Sequence, residues 1–174
     1  MQENKPVLIV GLGNPGAEYE RTRHNVGFMA VKHLAGADAH WRGELFAKTF
    51  ATNVDGCRVI FAMPQTFMND SGRAVRAIMD FYKIPIENLF VIHDDMDLKL
   101  GDMRTKVGGG SAGHNGIKSI DANVGREYTR IRIGIDHPRN LGLPIDAADW
   151  VLGRFTTDQM STIEKTLNEI KLVG

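Results

Sequence analysis

Val7-Leu8-Ile9-Val10-Gly11-Leu12-Gly13-Asn14-Pro15-Gly16 is the stretch whose reading decides the fold. Four branched apolar residues in succession, Val7 to Val10, read as a strand buried on both faces, the pattern of a parallel strand within an α/β sheet. Gly11, Gly13 and Gly16 end the run and allow another backbone or a ligand to come close. Asn14-Pro15 is a turn signal, because proline fixes its own φ and pushes the preceding residue toward an extended geometry. The chain is therefore expected to turn at the C-terminal edge of a sheet, where ligands of open α/β sheets gather. Gly11-x-Gly13-x-x-Gly16 also has the spacing of a dinucleotide fingerprint. Against it, Ala17 to His24 is polar and reads as solvated, and no second strand ends in an acidic residue about 20 positions on. The competing content is Asn14, an amide in a tight turn, and His24, an imidazole where an apolar helix begins. Each has a plainer reading: Asn14 as a turn former, His24 as a surface residue.

Working outward, the 174 residues are expected to form one domain, residues 1–174, with a single substantial core. With 43% hydrophobic and 24% charged residues the composition is that of an ordinary globular chain. The formal net charge is zero, so any affinity for a polyanion must come from a local patch. One cysteine, Cys57, fits a reducing compartment. The first residues lack the apolar core of a signal peptide, and no run approaches the roughly 18 apolar residues of a membrane span. A cytoplasmic protein is expected.

Asn25 to Ala35 reads as a helix with Phe28, Val31, His33 and Leu34 on its buried face and Gly36 as its stop. Residues 45–53 and 57–63 read as strands joined at Asp55-Gly56, the commonest hairpin signal, so the sheet is mixed. Pro64 to Gly72 leaves the sheet. Asn69, Asp70 or Ser71 can cap a helix running to about Tyr82, with Ala74, Val75, Ile78, Met79 and Tyr82 as its stripe. Phe67-Met68 is either core or an exposed apolar platform, and Asn69 a cap, a ligand or both.

Leu89 to Asp95 is a second buried strand ending in His93, Asp94, Asp95 and Asp97. These could suggest a metal, but adjacent aspartates on a strand point to opposite faces and no His or Cys spacing supports a transition metal. A carboxylate there can instead hold a distant histidine in the tautomer that presents Nε2 as a base. Met103 to Val107 is a short strand. Gly108 to Gly116 is a glycine-dense loop able to wrap an anion, followed by a helix from Asn115 to about Val124 whose N-terminus favours negative charge. Tyr128 to Ile135 is a third inner or near-edge strand, Asp136 to Pro144 a loop, Ala147 to Phe155 a surface turn, and Thr157 to about Leu172 an amphipathic helix. From Lys99 to Arg132 there are seven cationic and three acidic side chains, a local excess of four positive charges. Such a face is either merely solvated or binds phosphate.

Gly11 to Tyr19, Thr22-Arg23-His24-Asn25, Pro64-x-Thr66-Phe67-Met68-Asn69, His93 to Leu98, Gly108 to Gly116 and Arg132 to Pro138 together resemble the bacterial peptidyl-tRNA hydrolases. The resemblance implies an α/β domain with a mixed, twisted sheet flanked by helices. It also implies hydrolysis of the ester between a peptide and the 3′-terminal ribose of tRNA, with no metal or nucleotide cofactor and no obligate protein partner. His24 would be the base, Asp94 its orienting carboxylate, and Asn14, Asn69 and Asn115 would bind the ester or water. Tyr19, Phe67, Met68 and His114 would line the cleft, and Arg104, Lys106 and Arg132 would hold tRNA phosphate. Ala112 departs from the family's usual glycine, and the chain ends earlier than most relatives, so the terminal helix is expected to be short. No G-x-S-x-G elbow surrounds Ser71 or Ser111, which favours direct attack by water. The alternatives are a non-catalytic RNA-binding relative on the same fold and a nucleotide-dependent enzyme using Gly11 to Gly16.

Overall fold

The computed structural model describes residues 1–171. Strands β1 (Val7–Gly11), β2 (Arg42–Glu44), β3 (Ala47–Val54), β4 (Cys57–Pro64), β5 (Leu89–Asp95), β6 (Met103–Val107) and β7 (Thr129–Gly134) form one sheet ordered β2-β3-β4-β1-β5-β7-β6. The inner neighbours β4-β1, β1-β5 and β5-β7 are parallel, and antiparallel pairing is confined to the two sides. The sheet is therefore mixed, as the hairpin signal required. Val54 pairs with Cys57 across Asp55-Gly56, both at positive φ, the two-residue turn whose twist matches its strands.

Helices α1 (Val26–Ala35), α2 (Ser71–Tyr82), α3 (Asn115–Val124), α4 (Ala147–Leu152) and α5 (Thr157–Asn168) complete the chain. β1 is buried throughout, and its residues alternate between two cores. Leu8 and Val10 pack with Leu89, Val91, Ala74, Ile78, Ile117 and Ile120 under α2 and α3. Ile9 packs with Phe90, Ile92, Val26, Val31, Ile163 and Leu167 under α1 and α5. Each fully buried aliphatic side chain contributes about 1.5–3 kcal/mol.

The glycines after β1 are used for packing. A Cβ on Gly11 would lie 2.0 Å from the Gly27 carbonyl oxygen, and one on Gly13 2.7 Å from the Phe28 ring. The first turn of α1 thus occupies the space in which a dinucleotide fold would seat a pyrophosphate.

Several local expectations are corrected. His33 is exposed; α1 buries Val26, Gly27, Phe28, Ala30 and Val31, because its first turn, not its last, is pressed against the sheet. Ala17, Glu18, Glu20 and Arg21 are exposed as expected, but Thr22 and Arg23 are buried, so the solvated part of Ala17 to His24 ends at Arg21. No side chain caps α2: the Ser71 hydroxyl donates to the Met68 carbonyl, and the Gly72 N–H is met at 2.8 Å by Ser119 of α3. That partner is 47 residues away and invisible to a local reading. Residues 147–152 are a helix rather than a surface turn, capped by Asp146 and anchored by buried Trp150. β2 was not foreseen, being three residues with no apolar pattern. α5 ends at Asn168, and Leu172, its expected end, lies outside the described residues. No helix among the described residues is long and apolar enough to cross a membrane.

Candidate active site

The ends of β1 and β5, the turn before α1, the segment before α2, the glycine loop and α4 enclose a cleft of about 460 Å³. That is ample for one aminoacyl ester with part of a peptide. Its walls include Asn14, His24, Phe67, Met68, Asn69, His93, Asp94, His114 and Asn115, which the sequence disperses over 102 positions.

Asp94 is the hub. Residues of β5 alternate between the two cores, so Asp94 follows Phe90 and Ile92 onto the α1 side, where a 3-10 turn at Arg23–Asn25 carries His24. His24 Nδ1–H donates to Asp94 Oδ2 at 2.8 Å. On the other oxygen, His114 Nε2–H donates to Asp94 Oδ1 at 2.8 Å. His114 is held in that tautomer because its Nδ1 accepts the N–H groups of Gly116 and Ile117 as the cap of α3. The helix N-terminus expected to attract an anion is thus partly occupied by an imidazole lone pair. Burial disfavours the Asp94 carboxylate, yet the two imidazoles outweigh it and hold its pKa far below the ordinary range. For His24, burial opposes the charged form, but the charge and hydrogen bond of Asp94 win and raise its pKa above the ordinary value. With Nδ1 engaged, His24 presents Nε2, which has no hydrogen-bond partner among the described residues.

Asn14 is fixed on three sides. Its backbone N–H and C=O are both bound by the Asn25 side chain at 2.9 Å, and its Oδ1 accepts the Met68 N–H at 2.7 Å. Its Nδ2 has no hydrogen-bond partner among the described residues and stands at the cleft wall. Asn25, next to His24, is a structural partner whose role the sequence did not reveal. Phe67 and Met68 divide the two readings of their pair. Met68 is buried in the core, whereas Phe67 is 54% exposed and meets the Tyr19 ring edge-on at 6.4 Å. Phe67 has φ 61 and ψ 157, a strained geometry costing about 1–3 kcal/mol for a residue with a side chain. Tyr19 stands behind Phe67, outside the cleft lining. Asn69 and Asn115 are exposed at the cleft. In the glycine loop, Ala112 has φ 50, the left-handed region that explains a glycine preference there.

His93 lies across β5 from Asp94, its Nδ1–H on the Asp94 carbonyl and its Nε2 buried without a partner. Burial, with His114 nearby, lowers its pKa to about 4, so it is neutral. Asp95 accepts Arg132 at 2.8 Å and the Asp97 N–H at 2.8 Å. Among the described residues, only His24, Asp94 and His114 bring possible metal-ligand atoms within 4.8 Å of one another. Their contacts are N–H···O hydrogen bonds, so an ion would have to displace the protons that now join the ring nitrogens to Asp94.

In the sheet register His93 faces Arg132, and Arg132 faces Arg104, one row leading from the cleft to the β6 edge. Arg104 and Lys106 are exposed with no ion pair among the described residues, while Arg132 is held by Asp95. The sequence missed α4 as a wall, supplied by Ala147, Ala148, Val151 and Leu152. Asp146 before an apolar run was the available cap signal.

The peptidyl-tRNA hydrolase family profile matches residues 8–173. A peptidyl-tRNA hydrolase of Rickettsia bellii is 44% identical over 167 residues, covering 94% of this chain and 89% of the relative. One from Bacillus cytotoxicus is 47% identical over 171 residues, covering 92% and 89%. The crystal structure of the peptidyl-tRNA hydrolase of Acinetobacter baumannii superimposes with a TM-score of 0.88 at 36% identity, covering 97% of this chain and 86% of that one. With the profile spanning nearly the whole sequence, and curated relatives above two-fifths identical, the chain belongs to the peptidyl-tRNA hydrolase family.

Proposed function

We propose that this chain hydrolyses the ester between a peptide, or an N-blocked amino acid, and the 3′-terminal ribose of tRNA, with His24 as general base. One observation carries the assignment of roles: His24 gives Nδ1–H to Asp94 at 2.8 Å and keeps Nε2 open in the cleft that Asn14 also lines. Nε2 takes a proton from water as the water oxygen bonds to the ester carbonyl carbon. The tetrahedral oxyanion receives the Nδ2–H of Asn14, with Asn69 and Asn115 holding ester and water; such a donor is worth about 3–4 kcal/mol in other acyl-transfer enzymes. As the carbon–oxygen bond to ribose breaks, the imidazolium returns its proton to the leaving 3′-oxygen, giving a peptide acid and free tRNA. Phe67, with Tyr19 behind it and Met68 beneath, offers the apolar surface beside the scissile bond. Arg104 and Lys106 bind tRNA phosphate, with Arg132, held on Asp95, behind Arg104 in the sheet register. The chain acts as a monomer in the cytoplasm, where its substrate arises.

The test is release of free tRNA from N-acetyl-aminoacyl-tRNA, with unblocked aminoacyl-tRNA as control. His24→Ala is expected to fold and to lose turnover; near-normal turnover removes His24 from the mechanism. A wild-type protein that binds tRNA without releasing peptide favours a non-catalytic RNA-binding role.

A further inference from the structure

We infer that Arg23 is a positioning residue for the reaction, locking the turn that carries His24 to the α4 wall of the cleft; this rests on His24 acting as the base. Arg23 is 6% exposed, and no carboxylate pairs with it among the described residues. Instead Nη1 donates to the Trp150 carbonyl at 3.1 Å, at the C-terminal end of α4, and Nη2 donates to Gln159 Oε1 at 3.1 Å. Cζ sits 3.5 Å from the centroid of the Trp150 ring. Trp150 is itself tied to the end of the β7 segment, its Nε1–H donating to the Asp136 carbonyl at 2.8 Å. The backbone repeats the connection: Arg23 N–H donates to Gly153, Phe155 N–H donates to Arg21, and Thr22 bridges to Arg154.

A buried guanidinium without a carboxylate is costly, and an apolar side chain would fill the same space more cheaply. What the guanidinium adds is a rigid planar fork that binds two separate elements and an aromatic face together. Gly153 shows that the seat is built for it. A Cβ at 153 would lie 2.6 Å from Arg23 Nη1, yet Gly153 has φ −78, which any residue can adopt. Glycine stands there to make room for the guanidinium. The residue after Arg23 is His24, whose Nε2 must stay within a fraction of an ångström of its productive position; a misplacement of about 1 Å costs roughly 100-fold in rate.

The experiment uses the full chain and N-acetyl-aminoacyl-tRNA, with Arg23→Lys, Arg23→Met, Gly153→Ala and the Met/Ala double variant. Arg23→Met is expected to lower kcat about 10- to 100-fold with KM changed by less than about 3-fold, and Arg23→Lys to restore part of the loss. Gly153→Ala is expected to lower kcat while Arg23 is present and to add little in the Met background, where Nη1 is gone. The ¹⁵N signal of His24 Nδ1–H should weaken in parallel with kcat. A folded Arg23→Met with unchanged kcat overturns the proposal, as do Met and Ala losses that simply multiply. If Arg23→Met does not fold, normal kcat in both Arg23→Lys and Gly153→Ala overturns it. Activity retained by His24→Ala defeats the parent reading instead, whatever the Arg23 variants do.

Discussion

At the scale of single residues the site is a carboxylate shared between two imidazoles. Asp94 receives N–H from His24 and from His114, each at 2.8 Å, and the second bond is directed by a helix cap. The arrangement sets a pH dependence with a definite sign. The proposed base works as neutral imidazole, and its pKa is raised, burial being outweighed by Asp94. The acid limb of kcat/KM should therefore lie above the ordinary histidine value of about 6.5, with activity lost as pH falls through it. Asp94→Asn removes the charge and leaves the burial. The limb should then move to lower pH, while kcat falls on the order of 10²- to 10⁴-fold because the tautomer is no longer held. A pH–rate profile with an unmoved limb would separate Asp94 from His24 in function. The sequence made Asp94, Asn14 and Asn115 readable as candidates because each stands beside a strand end or a glycine turn, and His24 because it opens an apolar helix. It could not show that His114 shares Asp94, that Asn25 braces Asn14, or that Arg23 is buried. Those facts depend on which side chains meet across the fold.

Elements place those residues, and glycines decide how closely the elements approach. A Cβ on Gly27 would lie 2.4 Å from both the Leu12 nitrogen and the Ile92 carbonyl oxygen. These are backbone atoms of β5 and of the residue following β1, and they cannot swing aside. Gly27→Ala should force α1, and the His24 turn leading into it, away from the sheet. About 3 kcal/mol of stability should be lost, lowering Tm by roughly 6–12 °C in a domain of this size. Gly43→Ala, whose Cβ meets nothing within 4 Å, should change Tm by only a degree or two. Equal shifts in the two variants, read by thermal melts, would show that close approach is not what Gly27 provides. Continuous apolar runs made β1 and β5 legible, and Asp55-Gly56 made the β3–β4 hairpin legible, because those signals are local. The start of α2 was read at the right residues, but none of its expected caps acts, because the Gly72 N–H is met by Ser119, a tertiary partner. α4 was misread because six residues give too short a pattern to distinguish a helix from a turn.

For the whole molecule, zero net charge conceals a sorted distribution, and the sorting determines which cations a polyanion can reach. Counting from Lys99 to Arg132 gives four excess positive charges, but two of the arginines are already committed. Arg130 is buried on Asp121 at 3.0 Å, and Arg132 is held on Asp95 at 2.8 Å. A count along the chain registers charge but not this internal pairing, so it overstates the free cations. Lys99, Arg104, Lys106, Lys118 and Arg126 remain exposed; of these, Arg104 and Lys106 lie on the β6 edge, Arg104 at the end of the row that begins at His93. If phosphate binds there, each contact contributes a counterion-release term of about 0.7–0.9 to the slope of log affinity against log salt. Arg104→Ala with Lys106→Ala should lower that slope by about 1.4–1.8 and raise KM most at low salt. Saturated kcat should be unchanged, because neither side chain lines the cleft. Arg130→Ala should behave oppositely, leaving the slope intact while costing about 3 kcal/mol of stability, because Asp121 would lose its buried partner. A double variant with an unaltered slope would mean that tRNA does not cross the β6 edge, and the cations of that edge would be solvated charge.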